Sequence, residues 1–135
     1  MIAALLLAAA IGTHAPGSIT IAAARGEREI ALRINVAGAP LVPSAPLRRA
    51  RAGSVRISGS WAEVTVGRKP FRFPLGAPFY VYNDRPQAMA SSATLLRYTL
   101  YLPLQFVAEV LPRSFGDRYR YDAAAARLVE AGAPD

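Results

Sequence analysis

The sequence contains no cysteine and a single histidine, His14, which lies in an apolar N-terminal stretch. The absence of thiols excludes disulfides and thiolate metal sites. Beyond residue 14 the chain has no imidazole, so zinc or copper sites built from histidine lack their ligands, and Ser-His-Asp or Cys-His nucleophile pairs lack their base. The sequence therefore predicts no metal site, no cofactor and no catalytic residue of these kinds.

Lysine is also nearly absent, because Lys69 is the one lysine among 16 basic residues. Nine acidic residues leave a formal net charge of +7 at neutral pH. An excess of this size in a small domain favours polyanionic partners, such as nucleic acid, anionic lipid headgroups or wall polymers. Only Arg48, Arg49 and Arg51 form a run, so the same excess also fits a dispersed, solvated basic surface.

Carboxylates are the groups that remain for catalysis. Six of them could in principle form the acid pair of a glycosidase: Glu63, Asp84, Glu109, Asp117, Asp122 and Glu130. Their positions in turns, in an alternating strand and off the apolar stripe of a helix are more typical of solvated or capping side chains. The chain also has no glycine-rich phosphate loop followed by lysine. We predict that it is not an enzyme, and a small glycan-cleaving enzyme that uses only carboxylates is the alternative.

The first fifteen residues have the pattern of a signal peptide. Ile2–Ile11 is entirely apolar but too short to cross a hydrocarbon core of roughly 30 Å as a helix. Thr13-His14-Ala15 places small residues at the two positions that a signal peptidase reads, although no basic residue precedes the apolar run. We therefore predict export to the periplasm or cell envelope and no membrane span. A buried N-terminal helix is the alternative.

Alternating apolar residues predict several strands in the first two thirds of the chain. The predicted strands are Ser18–Ala24, Glu29–Val36, Ser54–Ile57, Trp61–Val66, Arg68–Leu75 and Phe79–Tyr82. In Glu29–Val36, the apolar residues Ile30, Leu32, Ile34 and Val36 all fall on one face, which predicts a half-buried antiparallel strand. Asn83-Asp84 is predicted to be a turn, and Arg85–Arg97 a loop.

The stretch Thr99–Glu130 predicts a strand, a helix, a strand, a turn and a strand. Pro103 suits a first helical position, and Pro112 is predicted to end the helix because the residue before a proline avoids the α region. Apolar residues recur in between at i, i+3, i+4 and i+7: Leu104, Val107, Ala108 and Leu111. We expect a helix over Pro103–Leu111, with Leu104, Val107 and Leu111 in the core.

This stretch resembles the repeat of the copper amine oxidase N-terminal-like domain, the bacterial stalk module. The matching residues are Leu102, Pro103, Leu104, Phe106, Val107, Ala108, Glu109, Leu111, Tyr121 and Asp122. The sequence departs from the family at two places. The family usually has glycine directly after the helix, whereas here Pro112–Phe115 comes before Gly116. The family usually has tryptophan before the aspartate, whereas here the residue is Tyr121. The resemblance implies a stalk-like domain over residues 16–130, with residues 131–135 as a linker or tail.

A second, weaker copy of this pattern precedes it. Val42–Leu47 is similar to the Leu102–Leu104 start, and two predicted strands follow across Ser58–Ser60. The order predicts an internal duplication whose first copy is degenerate and whose helix is shortened by Pro46. The predicted fold class is therefore α+β: a mostly antiparallel, twisted sheet packed around one main helix.

The resemblance also implies a context, because stalk domains are found at the N-terminus of bacterial N-acetylmuramoyl-L-alanine amidases. The zinc-binding residues of that catalytic domain are not in this chain, so the activity would belong to a downstream domain of a longer parent. We expect a non-catalytic, exported stalk or wall-binding module whose partner is peptidoglycan or another anionic envelope polymer. The alternative is a basic nucleic-acid-binding or protein-docking module, with nucleic acid the less favoured partner.

Tyrosines and arginines are the candidate binding residues. Tyr80 and Tyr82 share one face of a predicted strand, and residues 118–121 alternate arginine and tyrosine. Exposed tyrosines beside guanidinium groups can contact sugars and pair with carboxylates or phosphates. We take Tyr80, Tyr82, Arg118 and Arg120 as the first candidates. The alternative is that these aromatic side chains, like Trp61 and Tyr121, belong to a core.

Overall fold

The computed structural model describes residues 17–45 and 54–133. The predicted signal peptide, the arginine run and most of the helix predicted for the first copy lie outside these ranges. Within them, no helix has the length and apolar character that crossing a membrane requires.

The described residues form three β-sheets and one short helical segment, an arrangement consistent with the predicted α+β class. The strands are β1 Ser18–Ala23, β2 Gly26–Ala31, β3 Arg33–Ile34, β4 Pro40–Pro43, β5 Ser54–Ser58, β6 Trp61–Val66, β7 Lys69–Pro74, β8 Phe79–Tyr82, β9 Arg85–Ala88, β10 Thr94–Leu96, β11 Thr99–Pro103, β12 Tyr119–Asp122 and β13 Arg127–Glu130. Sheet A has the order β12-β13-β1-β2, sheet B the order β10-β11-β4-β3, and sheet C is the meander β5 to β9. Among the described strands, only β1 and β13 pair in parallel.

The helical segment runs past the proline that was predicted to end it. Residues 104–115 are helical throughout: a π-helix at Phe106–Val110 leads into an α-helix at Leu111–Phe115. In the wider π turn the Leu111 N–H donates to the Phe106 carbonyl, five residues back. Pro112 follows directly, in the first turn of the α-helix, a position at which proline is tolerated. The prediction that the helix stops at Leu111 is therefore wrong.

This segment buries a somewhat different set of residues from the predicted one. Val107 and Leu111 are fully buried as predicted, whereas Leu104 is only partly buried at the edge of the core. Phe106 and Val110 are buried as well. The reason is geometric, because the Phe106 ring fills the space beside two phenylalanines of β7, with centroids 5.1 Å from Phe71 and 5.2 Å from Phe73.

The strand predicted over Glu29–Val36 is divided between two sheets. β2 pairs with β1 in sheet A and ends at Ala31, and β3 then pairs with β4 in sheet B. The chain turns next, because the Asn35 side-chain oxygen accepts hydrogen bonds from the N–H groups of Ala37 and Ala39. Ile34 is consequently half exposed and Val36 fully exposed, so these two residues are wrongly predicted to face the core.

The predicted loop Arg85–Arg97 contains two strands. β9 pairs with β8 across the Asn83-Asp84 turn, and β10 pairs with β11 across a turn at Arg97-Tyr98. All four residues of these turns have positive φ, as the two-residue turns that join antiparallel strands often require. All four residues of β9 are exposed, so the strand has no alternation of buried and exposed side chains. It is a strand because its backbone pairs with that of β8.

The two halves of the predicted duplication share an order of elements. β4 is followed by the hairpin β5–β6, as β11 is followed by the helical segment and the hairpin β12–β13. β4 and β11 also pair with each other, antiparallel. The connection at residues 46–53 lies outside the described residues, so the duplication stays a prediction.

The Arg97-Tyr98 turn provides the first test. Both residues adopt left-handed conformations, with φ values of 48° and 69°, and the Tyr98 side chain is fully exposed. Replacing the pair with Asn-Gly, the residues that this turn geometry prefers, should stabilise the fold by about 1 kcal/mol. Chemical denaturation would measure the gain. Tyr98→Ala alone removes the ring without relieving the backbone, so it should give no gain; equal stabilisation by both variants would contradict the strain argument.

Candidate functional site

An open cleft of about 580 Å³ lies between the β8–β9 hairpin and the end of the helical segment. We call it the arginine cleft, and its lining residues are Phe71, Tyr80, Tyr82, Asn83, Arg85, Gln87, Arg113 and Ser114. Its volume is in the range of roughly 300–1,000 Å³ that small-molecule sites occupy.

One wall of the cleft follows from the register of the hairpin. Tyr80 pairs with Gln87 and Tyr82 pairs with Arg85 across the two strands. Directly paired residues of antiparallel strands point to the same face, and so do residues two apart. The hairpin therefore presents these four side chains together, and the Asn83 turn closes the end of this wall.

Tyr80 connects the hairpin wall of the cleft to the helical segment, which carries Arg113 and Ser114 on the other side. The Tyr80 ring belongs to the core, the alternative that the sequence left open, because only 4% of the residue is accessible and its ring packs against both Phe71 and Phe73. The hydroxyl lies at the cleft, where it accepts a 3.1 Å hydrogen bond from Nη2 of Arg113. Tyr80 thus belongs to the core through its ring and to the cleft through its oxygen.

Tyr82 is half-buried, and other side chains lie close to its ring. The ring stacks on Phe71 with a centroid separation of 5.1 Å and an angle of 26°. The Lys69 ammonium lies 5.9 Å from the ring centre. Because Phe71 already covers one face of this ring, Tyr82 can contact a ligand in the cleft through its ring edge and hydroxyl, but it does not offer a free ring face for stacking.

Lys69 connects β7 to the end of the helical segment, next to the cleft residue Ser114. Its Nζ donates a 2.6 Å hydrogen bond to the Ser114 carbonyl at the end of the α-helix, and it lies 4.9 Å from the centre of the Phe115 ring. A cation at this position satisfies a terminal helix carbonyl and opposes the negative end of the helix dipole. The single lysine of the chain therefore fixes β7 to the helix that carries Arg113.

Removing that ammonium provides the second test. Lys69→Met keeps most of the apolar stem but leaves the Ser114 carbonyl without its donor, so we expect a loss of about 1–2 kcal/mol of unfolding free energy. Arg68→Met, at the exposed neighbouring residue, removes the same charge and should be nearly neutral. Urea denaturation of both variants measures the difference, and equal stabilities would show that the contact contributes nothing.

The cleft is electropositive. Its lining includes the guanidinium groups of Arg85 and Arg113 and no carboxylate. The ion pairs seen within the described ranges, Arg56 with Glu63 and Arg127 with Glu27, lie outside the cleft. Asn83, Gln87 and the hydroxyls of the lining add groups that both donate and accept hydrogen bonds. This set of groups suits a polar ligand with negative charge.

The structure separates the four residues that the sequence singled out. Tyr80 and Tyr82 line the arginine cleft, whereas Arg118 lines a smaller cleft of about 160 Å³ together with Tyr119 and Glu130. In that smaller cleft the Tyr119 hydroxyl donates to the buried Glu130 carboxylate at 3.1 Å. Arg120 is exposed on β12, outside both sets of lining residues.

Sequence reasoning missed the polar residues that complete the arginine cleft. The sequence pattern predicts a loop for Arg85 and Gln87, and it predicts that the helix ends before Arg113. The signal that could have found the hairpin was the Asn83-Asp84 pair, which is typical of a tight turn between paired strands. Nothing in the local sequence connects Arg113 to Tyr80, 33 residues away.

The other aromatic and acidic candidates have structural partners. Trp61 is half-buried under the Arg72 guanidinium, 4.7 Å from the ring centre, and contacts the edge of Phe79. Burial, with a smaller contribution from the Asp122 charge, raises the pKa of the Tyr121 phenol. The Asp122 carboxylate accepts hydrogen bonds from two N–H groups of its own turn. Among the described residues, no group of three His, Cys, Asp or Glu side chains is placed to hold a metal ion.

Comparison of the chain with protein families, curated proteins and solved structures finds no match. The resemblance to the stalk domain therefore stays a prediction from the residues that carry it.

Proposed function

We propose that this chain is a non-catalytic, exported module of the cell envelope that holds an anionic wall polymer, such as peptidoglycan, at the arginine cleft. The observation that carries the proposal is the cleft lining, in which Arg85 and Arg113 meet amide and hydroxyl groups without any carboxylate. Such a lining favours anionic, hydroxyl-rich ligands over neutral or cationic ones.

The proposal includes the fuller architecture that the sequence predicts. In it, a twisted sheet packs around one main helix, the first half is a degenerate copy of the second, and the module serves as the stalk of a longer parent such as an N-acetylmuramoyl-L-alanine amidase. The antiparallel pairing of β4 with β11, the two strands that would begin the copies, supports the duplication.

Charge alone would not select the polymer. The formal excess of +7 produces a field that decays over roughly 8–10 Å at physiological ionic strength. This reach is enough to attract an anionic surface but not to distinguish one polymer from another. Selectivity would therefore come from the hydrogen-bonding groups of the cleft.

Cosedimentation with purified peptidoglycan tests the proposal. We expect weak, salt-sensitive binding by the wild type and at least a several-fold loss in an Arg85→Gln/Arg113→Gln variant. Arg25→Gln/Arg28→Gln is the matched control, because it removes the same charge from the exposed β1–β2 hairpin. A Tyr80→Ala/Tyr82→Ala change is unsuitable here, since both rings contact Phe71 in the core.

Three outcomes of this assay would overturn the proposal. Release of soluble muropeptides would show an enzyme. Equal loss in the cleft and control variants would show that net charge, not the cleft, attracts the polymer. Tighter binding to a DNA duplex than to peptidoglycan, with a steep salt dependence, would favour the nucleic-acid-binding alternative.

Export is tested separately. If residues 1–15 are a signal peptide, mass spectrometry of the protein from its own host should find an N-terminus near Pro16. An intact Met1 on cytosolic protein would contradict the predicted export. Ligand binding at the cleft would still be decided by the cosedimentation assay alone.

A further inference from the structure

We infer that the arginine cleft recognises a sugar unit that carries an anionic group, and that Arg113, positioned by Tyr80, binds this group. The inference rests on the proposed function and specifies its ligand.

Arg113 is anchored on one side and open on the other. It is an exposed residue at the end of the helical segment, and its Nη2 donates to the Tyr80 hydroxyl at 3.1 Å. The Tyr80 ring is itself fixed by Phe71 and Phe73, with both centroids 6.0 Å away. A guanidinium has five N–H donors, so this one bond leaves most of them for a ligand.

This anchoring favours binding through Arg113. A free arginine side chain loses rotamer entropy when it binds, and a side chain that is already held loses less. The planar guanidinium also matches the two oxygens of a carboxylate or phosphate. Tyr80 is thus a positioning residue, since its hydroxyl orients the guanidinium that makes the contact.

The other groups that line the arginine cleft indicate a ligand larger than a single inorganic ion. Asn83 and Gln87 provide amides that donate and accept, and Ser114 adds a hydroxyl. A cleft of about 580 Å³ is far larger than a single inorganic anion needs. Sugar hydroxyl and acetamido groups have the same mixed donor and acceptor character as these amides. A sugar ring with one anionic substituent could therefore pair with the amides through its hydroxyls and with the Arg113 guanidinium through its charge.

A matched pair of probes tests the inference. N-acetylmuramic acid differs from N-acetylglucosamine by an ether-linked lactyl carboxylate, so titrations of the two by NMR measure the contribution of the charge. We expect the wild type to bind the acidic sugar about tenfold more tightly, a difference typical of one charge-assisted contact. Glucose 6-phosphate against glucose separates a phosphate preference from a carboxylate preference.

Variants then assign the preference to named groups. Arg113→Gln should bind both sugars equally. Tyr80→Phe removes only the hydroxyl, so it should reduce the preference several-fold while leaving the melting temperature close to that of the wild type. Arg28→Gln, at an exposed residue of β2 outside the cleft lining, should keep the full preference.

Several results would overturn the inference: equal binding of the acidic and neutral sugars, no binding of either at millimolar concentration, a preference that survives Arg113→Gln, or inorganic phosphate that binds as tightly as the acidic sugars. Cosedimentation with peptidoglycan but no acidic preference would leave the proposed function standing and the inference wrong. A clear preference for the acidic sugar without cosedimentation would support the inference and contradict the proposed function.

Discussion

Replacing Val107 with aspartate is expected to abolish folding. Val107 has no accessible surface and lies in the π-helical turn that packs into the core. An ionised carboxylate at this position would have no partner among the apolar side chains around it. The loss should reach about 4 kcal/mol or more, which is comparable to the whole stability of many domains of this size. Circular dichroism and thermal melting would show the loss of the cooperative transition.

Gln105→Glu is the matched control, because it adds the same charge two residues earlier. Gln105 is only partly buried, and its Oε1 accepts a 2.7 Å hydrogen bond from the Ala90 N–H. Glutamate keeps an acceptor oxygen at that position, so the melting temperature should hardly change. A Val107→Asp protein that melts like the wild type would mean that Val107 does not face the core.

Replacing Phe71 with alanine is expected to destabilise the fold by about 3–5 kcal/mol. Phe71 is fully buried on β7 and is the centre of the aromatic cluster. Its ring contacts those of Tyr80, Tyr82, Phe106 and Phe115. The cavity would therefore open where sheet C meets the helical segment, directly beneath the arginine cleft.

Phe79→Ala makes the same truncation on the neighbouring strand. Phe79 is partly buried and alternates along β8 with the buried Tyr80; among the described rings it contacts Trp61, edge-on, with centroids 6.4 Å apart. Its removal should cost about 1 kcal/mol. Chemical denaturation of both variants measures the contrast, and similar losses would show that Phe71 does not hold the sheet to the helix.

The local sequence was sufficient for elements whose two faces differ. β6 and β7 alternate buried and more exposed residues, and the sequence pattern placed both strands correctly. The turn at Asn83-Asp84 and the capping role of Asp122 were also predictable, because these side chains favour tight turns by bonding to nearby backbone. Val107 and Leu111 were identified as core residues from helical spacing alone.

The arginine cleft could be predicted only in part. The strand that carries Tyr80 and Tyr82 was recognised, but neither the burial of Tyr80 nor the hydrogen bond from Arg113 has a local signature. β9 was missed because its residues are all exposed. A strand of that kind is held by backbone pairing, and backbone N–H and C=O groups are the same at every residue.

The sequence by itself determined the basic excess, the absence of thiols, the alternation of β6 and β7, and two core residues of the helix, Val107 and Leu111, because these depend on composition or on spacing along the chain. Tertiary structure decided where β2 ends and β3 begins, how far the helix continues past Pro112, and which arginines meet the tyrosines. Each of these depends on a partner distant in the chain: β4 for β3, the aromatic cluster of β7 for the π turn, and the buried ring of Tyr80 for Arg113. Packing against such partners outweighs local preference, because the free energy of burial and pairing exceeds the small differences among backbone propensities.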